Sequence, residues 1–462
     1  MKDVRLLLIT LFFLIATCYP VIAQQATYHT DDIKGLQDPL VAKTADHIYT
    51  IYPGKKEVVV VKYNRALEQV GEYKLNNPLK KLKNVKGTGI DGDKIYLYTT
   101  FYSLTNKMLS SSVYTLDLTA GSVSETDLPS VPGSAASAIQ NNKLYLIGYN
   151  PTSRMMSVSG FYGVSQVYSR VLPLGGVDIN TTNHYNKDDH EKLLNVLHEA
   201  FSDLELVHFD QTSGHHPATS LANHQLYITE NGLVISTRVD NVDNQKLLAI
   251  NTRFPGIYLL NLPFDKEEPA GLHVIGGSKD TRFSSTFFDD KLFVALAQRH
   301  RIELLSYSFP EMDEVTIDNI TESTILKDSY VEHEATNRKE EKKAKRMLRL
   351  VYYGDPGLAI HDFSEDKYLL DLVAYDVRSV TAAVNSTAIP ITFTVVYEVI
   401  VSIDKQKLRP SENTLTKEDY RQTVKVKEFR KHKDAVFIEA DQYQYVLLPS
   451  EDNEGYTIRI IE

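Results

Sequence analysis

The sequence contains a single cysteine, Cys18, and no tryptophan among its 462 residues. Because Cys18 lies near the N-terminus in a predicted export signal, the mature chain is expected to contain no disulfide. A chain of this length can bury enough apolar surface to fold without one. Long apolar runs are also scarce: the most apolar later stretch, residues 388–403, contains Pro390 and Glu398. We therefore expect no membrane-spanning segment after the signal.

The N-terminus has the pattern of a signal peptide. Lys2 and Arg5 precede an apolar stretch from residue 6 to 16, and a Val-Ile-Ala sequence ends at Ala23. This arrangement predicts a signal peptide over residues 1–23 and an exported protein, either periplasmic, outer-membrane-associated or extracellular. The alternative is a lipid anchor at Cys18, because residues 14–18 resemble a bacterial lipobox, although Thr17 departs from it.

The formal net charge of the precursor is −10, and removal of the signal makes it −11. A nucleic-acid partner would require a basic face, so this balance argues against one.

An internal repeat gives the best evidence on the fold. Each copy has a small residue, an apolar residue, a polar turn, and then an aliphatic residue followed by an aromatic one, which is the pattern of a tight β-hairpin. Four copies align without gaps, and Asp46–Tyr49 is a shorter fifth copy. The four are Gly89–Tyr96, Ala138–Tyr145, Ser220–Tyr227 and Thr286–Phe293.

A second type of strand follows each hairpin, at Val113–Leu118, Val167–Leu172, Ile257–Leu262 and Ile302–Tyr307, with Val396–Val399 as a further candidate. The aliphatic anchors of the first three hairpins are 47 and 49 residues apart, which matches a four-stranded propeller blade. We therefore predict an all-β fold, a single β-propeller over residues 24–462. Seven blades are expected, with six or eight as alternatives. A β-sandwich is the structural alternative, but it does not by itself predict such copies.

The longer intervals between anchors require insertions, at about 178–213 and 332–349. The first has helical periodicity from Asp188 to Phe201, with Leu193, Leu194, Leu197 and Phe201 on one face and Asp188 or Asp189 as the cap. The second contains a charged run, residues 338–346, which is typical of a solvated helix or loop.

In its polar hairpins and aliphatic-tyrosine strands, the chain broadly resembles kelch-like propellers over about residues 40–310. It lacks the glycine pairs and tryptophan of kelch repeats and the Trp-Asp pairs of WD40 blades. The resemblance therefore implies the architecture and no particular activity.

Catalytic motifs are weak or missing. The glycines of residues 87–92 match a dinucleotide fingerprint, but a strand follows them where that motif needs a helix. The pairs His190-Glu191, His198-Glu199 and His333-Glu334 lack the second histidine of zinc proteases. No cofactor is expected, with a divalent metal as the alternative.

Histidine is the one anomaly of composition. Seven of the fourteen histidines lie between His184 and His224. Neutral imidazoles are good ligands for zinc or copper, so His208, His215 and His216 are the candidate metal ligands. A solvated polar loop is the alternative interpretation.

These observations favour a non-catalytic exported propeller that binds a protein or glycan partner, because its loops offer contact surfaces and no catalytic motif is evident. One alternative is a carbohydrate-active enzyme, a glycoside hydrolase or lyase acting at the propeller mouth. A second is a metal-binding sensor that uses the histidine-rich insertion.

Overall fold

The computed structural model describes residues 25–461 with gaps, of which the longest are 210–222, 240–253, 334–347 and 409–435. The predicted signal peptide, residues 1–23 with Cys18, lies outside the described residues, as do His215 and His216. Thirty strands and a twelve-residue helix make up most of the part that is described. The all-β prediction with a short helix is therefore confirmed. In this part of the chain, no helix is long and apolar enough to span a membrane.

The strands of the first half are β1 (Gln25–His29), β2 (Leu40–Lys43), β3 (His47–Pro53), β4 (Glu57–Asn64), β5 (Gln69–Asn76), β6 (Val85–Asp91), β7 (Lys94–Ser103), β8 (Met108–Asp117), β9 (Ser122–Pro132), β10 (Ser134–Gln140), β11 (Lys143–Asn150), β12 (Met155–Tyr162), β13 (Ser165–Pro173), β14 (Asp178–Thr181) and β15 (Leu206–Phe209). Helix α1 (His190–Phe201) lies between β14 and β15, after 3-10 turns at Leu174–Gly176 and Lys187–Asp189.

The strands of the second half are β16 (His224–Ile228), β17 (Gly232–Val239), β18 (Gly256–Pro263), β19 (Gly271–Gly276), β20 (Arg282–Phe288), β21 (Lys291–Gln298), β22 (Arg301–Ser308), β23 (Glu314–Ile320), β24 (Tyr330–His333), β25 (Asp355–Ser364), β26 (Lys367–Val384), β27 (Thr387–Asp404), β28 (Val436–Ala440), β29 (Tyr443–Pro449) and β30 (Gly455–Ile461).

The chain divides into two compact units, one of Met1–Leu97, Tyr114–Glu125 and Val426–Glu462, and one of Tyr98–Val113 and Thr126–Lys425. In the first unit, β1 pairs with β30 and so joins a sheet with β29 and β28. The second unit contains the sheets β10 to β13, β20 to β23, β25-β26-β27-β24, and the six-stranded sheet β14-β19-β18-β17-β16-β15. The strands β2 to β5 and β6 to β9 belong to one eight-stranded sheet. The expected number of blades, seven, stays a prediction.

Most of the predicted hairpins are confirmed. They form the turns between β2 and β3, β6 and β7, β10 and β11, and β20 and β21. Asn141 and Asn142 have φ angles of 50° and 64°, and Asp289 and Asp290 have 50° and 52°. These left-handed values are typical of the two-residue turn that fits the twist of a hairpin, and Asn and Asp tolerate them best after glycine.

Two repeat assignments need correction. The segment Val167–Leu172 was predicted as the strand that directly follows the hairpin β10-β11, and so as the third strand of its sheet. It lies instead in β13, the fourth and outermost strand, and the third strand is β12. In the copy Ser220–Tyr227, residues 220–222 lie outside the described residues, and β16, which begins at His224, has the parallel strand β15 as its neighbour on that side. The aliphatic-aromatic pattern is common to buried strands, so it did not distinguish their positions in a sheet.

Two outermost strands, β13 and β23, share a local irregularity with β5, which lies between β4 and β9 in the eight-stranded sheet. Register shifts occur where β5 pairs with β4, where β13 pairs with β12 and where β23 pairs with β22. Such bulges twist an edge strand and discourage further pairing. The pairing of β18 with β19 has no such shift, and β19 is the strand that accepts β14 as a further neighbour.

Candidate functional site

Residues 178–209, called here the wrapping segment, enclose one sheet of the second unit. At one edge, β14 runs parallel to β19, from Asp178 opposite Gly271 to Thr181 opposite Val274. At the other edge, β15 runs parallel to β16. Helix α1 connects the two edges. We call the sheet β14 to β19 with α1 the wrapped blade, and the sheet β10 to β13 the plain blade.

Helix α1 forms because its apolar residues recur at helical spacing. Leu193, Val196, Leu197 and Phe201 are fully buried. Each contributes about 1.5–3 kcal/mol by leaving water. The predicted Leu194 is only partly buried and packs at the margin of the same cluster. Of the two predicted caps, Asp189 occupies the N-cap position, but its side chain bonds to Lys192 and to the backbone N–H of Asn186 rather than capping the helix.

The buried face of α1 joins two blades of the second unit, the plain blade and the wrapped blade. The cluster around it includes Tyr149 and Val158 of the plain blade, and Leu226, Ile235 and Leu260 of the wrapped blade. Since α1 packs on both, its position and that of its polar residues are fixed by a shared core.

The polar side of this contact is a tyrosine-histidine pair. The hydroxyl of Tyr149 and Nδ1 of His198 are hydrogen-bonded, and their rings meet edge to face with centroids 5.8 Å apart. Tyr149 is fully buried, whereas His198 is partly exposed. The pair therefore connects the core to the surface.

Both members of the pair are held in their neutral forms. Burial raises the pKa of Tyr149 to about 12 against the opposing effect of Arg154. Burial, and then the charge of Arg154, lower the pKa of His198. A tyrosine that stays protonated near neutral pH donates to Nδ1, which leaves the proton of the neutral imidazole on Nε2.

Arg154 and Asn195 extend the pair along the surface. The Nη1 of exposed Arg154 donates to Oδ1 of Asn195, one turn before His198 on α1, at 3.1 Å. Arg154 closes the turn between β11 and β12 with a φ of 54°. Asn150 initiates this turn by accepting hydrogen bonds from the backbone N–H groups of Thr152 and Ser153. Arginine is an uncommon residue at a left-handed φ, which makes the position a candidate for function.

A line of rings continues from the pair into the wrapped blade. Phe201 contacts Tyr149 and His224 edge to face, with centroids 5.6 and 6.0 Å away. His224 is buried, and its Nδ1 lies 3.1 Å from Oγ1 of Thr237. Two histidines of the predicted cluster thus lie on either side of Phe201.

The candidate metal ligands are only partly located. His208 lies in β15, opposite Leu226 of β16 and two residue pairs along the ladder from His224, which is opposite Leu206. His215 and His216 are outside the described residues. Among the side chains that the structure describes, no group of three or more His, Cys, Asp or Glu is placed to hold a metal ion. The metal site stays a prediction.

Tyr149, Arg154 and Asn195 were not predicted as site residues. In the sequence, Tyr149 follows the pattern of an ordinary aromatic residue in a strand, and Asn195 follows that of a polar residue on a helix. The sequence signal that was present is the Asn-Pro-Thr-Ser-Arg turn after a buried strand, since Asn150 is a turn former.

In the described part of the chain, four of the six sheets consist of four antiparallel strands, and tight hairpins join successive strands within them, as in propeller blades. The chain is a β-propeller. No protein-family model matches this propeller, and neither does any curated protein.

Among solved structures, the propeller is similar to the β-propeller domain of the Trilobed protease from Pyrococcus furiosus, with 9% identity, 94% of each chain covered and a TM-score of 0.35. An uncharacterised protein from Listeria monocytogenes matches at 10% identity over 86% of this chain and 99% of its own, with a TM-score of 0.30. A GH43_1 enzyme from Xanthomonas citri matches at 10% identity over 64% and 93%, with a TM-score of 0.24. Likenesses at this level support no statement about activity.

Proposed function

We propose that this protein is an exported, non-catalytic β-propeller that binds a protein or glycan partner, and that the surface formed by α1 and the 150–154 turn makes the contact. The observation that carries the proposal is Arg154: an exposed arginine held at a left-handed φ and hydrogen-bonded to Asn195. A turn that needs only a tight bend is better served by Gly or Asn.

The surface suits recognition because its polar groups are held in place before a partner arrives. Arg154 is fixed by the turn and by Asn195, and His198 is fixed by Tyr149. Side chains fixed in this way lose little conformational entropy on binding. A guanidinium, an amide and a neutral imidazole all form hydrogen bonds with sugar hydroxyls or with peptide groups.

The test is a binding screen with matched variants. The mature chain from Gln24 would be applied to an array of defined oligosaccharides and used in a crosslinking pull-down with partner identification. Arg154→Ala is expected to weaken the recovered interaction at least about tenfold, as for an interface hot spot. Arg299→Ala is the control, since Arg299 is an exposed arginine on another hairpin. Equal binding by both variants would contradict a role for this surface.

A carbohydrate-active enzyme is the second candidate, and the tyrosine-histidine pair is the observation that favours it. A partly exposed neutral imidazole, oriented by a buried hydroxyl, has the form of a general base. Turnover of a polysaccharide panel, lost in His198→Gln, would support this candidate over simple binding. Absence of turnover with retained glycan binding would support the first.

A further inference from the structure

The polar residues beside α1 use their hydrogen-bond acceptors within the protein. Oδ1 of Asn195 accepts from Nη1 of Arg154 at 3.1 Å. Nδ1 of His198 accepts from the buried hydroxyl of Tyr149. An amide and a neutral imidazole can each donate and accept, and in both residues these bonds use the accepting side. Asn195 and His198 therefore present N–H donors to a partner. In this tautomer the imidazole has no lone pair left to take up a proton, which favours binding over the enzymatic alternative.

Arg154 adds a charged donor to the same surface. Its side chain is exposed, and the bond to Asn195 uses one of the five N–H donors of the guanidinium. Among the residues that the structure describes, no carboxylate forms an ion pair with it. Asn195 and His198 are three residues apart on α1 and are neighbours on its surface. Three donors, one of them charged, thus lie side by side.

The electrostatic field at this surface is positive, although the chain as a whole is acidic. The charge of Arg154 lowers the pKa of His198 more strongly than the carboxylate of Glu199 raises it. At the imidazole, the guanidinium therefore outweighs the neighbouring carboxylate. The formal charge of the precursor is −10. A partner with a single local negative charge fits this surface, whereas a polymer with a charge on every unit would be repelled by the rest of the protein.

We infer that this surface binds a carboxylate of a protein partner, supplied by an Asp or Glu side chain or by the C-terminus. The inference rests on the proposed function and names the group that is recognised. A carboxylate accepts through two oxygens, donates nothing, and forms charge-assisted hydrogen bonds with a guanidinium. It therefore matches a surface that presents donors.

A protein is favoured over a sugar acid by the aromatic residues at this position. Sugar-binding sites commonly stack a sugar ring on an exposed aromatic side chain. Tyr149 and Phe201, the rings that contact each other beside His198, are both fully buried. They support the surface from below and offer no ring face to a sugar.

The test selects peptides on the immobilised mature chain from two random libraries. One library displays peptides internally and the other with a free C-terminus, because only the second offers a terminal carboxylate. Selected peptides are expected to contain Asp or Glu, or to require the free C-terminus. Replacing that group by Asn, Gln or a C-terminal amide should weaken binding at least about tenfold. With Arg154→Ala the same replacement should change binding much less, because the two groups are coupled.

Asn195→Asp is the sharpest variant of the protein. Aspartate keeps the size of the side chain and still accepts from Arg154, but it replaces two N–H donors by a negatively charged acceptor. Binding of carboxylate peptides should fall at least about tenfold. Asn231→Asp is the matched control, since it makes the same change at an exposed residue in the turn between β16 and β17. Thermal unfolding would check that both variants fold.

The outcomes distinguish this inference from the proposed function. Peptides that lack a carboxylate but lose binding with Arg154→Ala would overturn the inference and leave the binding surface in place. Binding of acidic oligosaccharides, with no peptide selected from either library, would overturn the protein partner. Peptides that bind Arg154→Ala and the wild type equally would contradict both the inference and the surface.

Discussion

The plain blade and the wrapped blade solve the problem of a sheet edge in two different ways. In the plain blade, β13 is the outermost strand, carries a bulge and leaves Val167 and Val171 52% and 61% exposed. In the wrapped blade, β19 has no bulge and β14 covers its edge. A bulge blocks pairing, whereas a regular edge invites it. The comparison shows that the wrapping segment adds its strand β14 to an edge strand, β19, that has no bulge.

The strongest test asks whether the wrapped blade differs chemically as well as structurally. If the histidine-rich insertion holds a divalent metal, elemental analysis of the mature chain will find about one equivalent, and the triple variant His208→Ala, His215→Ala, His216→Ala will lose it. A control with His29, His47 and His300 changed to alanine should keep the metal. Absence of metal from the wild type would end this hypothesis.

The next largest effect is expected on stability, from removing the contact that anchors α1 between the plain blade and the wrapped blade. Phe201→Ala removes a fully buried ring from the shared core and is expected to cost about 3–5 kcal/mol of unfolding free energy. Urea denaturation would measure it. Glu191→Ala, an exposed position on the same helix, should change stability by less than about 0.5 kcal/mol. Similar small losses in both would show that α1 contributes little to the fold.

A smaller effect is expected where the plain blade holds a loop of the wrapped blade. Arg170 of β13 donates hydrogen bonds to the backbone carbonyls of Pro263, Asp265 and Glu268 at 2.9, 3.2 and 2.7 Å. Arg170→Ala should destabilise the protein by about 1–3 kcal/mol, because these are bonds from a charged donor. Lys266→Ala, in the same loop and exposed, serves as the control in thermal unfolding. A shift no larger than that of the control would mean that water replaces these bonds.

The smallest effect concerns pH. Burial lowers the pKa of His198 in the folded protein, so the unfolded chain binds the proton more readily. The stabilising effect of the neutral imidazole is fully present above the unfolded pKa of about 6.5, and it is lost as pH falls from there through the lower folded pKa. Between about pH 7.5 and 5.5, His198→Gln should lose less stability than the wild type, by under ~1 kcal/mol.

The same substitution at His273 tests whether the effect on pH dependence is specific to His198. Burial also lowers the pKa of His273, which lies on β19 and apart from α1. His273→Gln should therefore reduce the pH dependence in the same direction. Identical pH dependence in the wild type and both variants would contradict the assignment of neutral imidazoles whose pKa is lowered in the folded protein.

The sequence predicted those parts of the fold that local chemistry determines. Asn141-Asn142 and Asp289-Asp290 marked hairpins because few residues tolerate a left-handed φ, and the period of Leu193, Leu197 and Phe201 marked α1. It did not predict β15, because four residues within an insertion carry no period that separates strand from loop. Parallel pairing of β15 depends on the distant strand β16, which no local pattern reports.

The candidate site was less predictable than the fold. Attention fell on histidines because they are concentrated in one segment, and His198 does belong to the site. Its partners are Tyr149 and Arg154, about 50 residues earlier in the chain, which reach His198 only because α1 packs on the plain blade. The left-handed φ of Arg154 is likewise imposed by the turn and cannot be read from the residue itself.

The pairing of β1 with β30 has a consequence for how the protein is made. The hydroxyls of Thr27 and Thr457 lie 3.1 Å apart across 430 residues of chain. At about 5–20 residues per second, β1 leaves the ribosome roughly 20–90 s before β30 exists. During that time β1 has no partner strand. The sheet that contains both β1 and β30 can therefore form only after synthesis has reached β30, so its formation is a late step in folding.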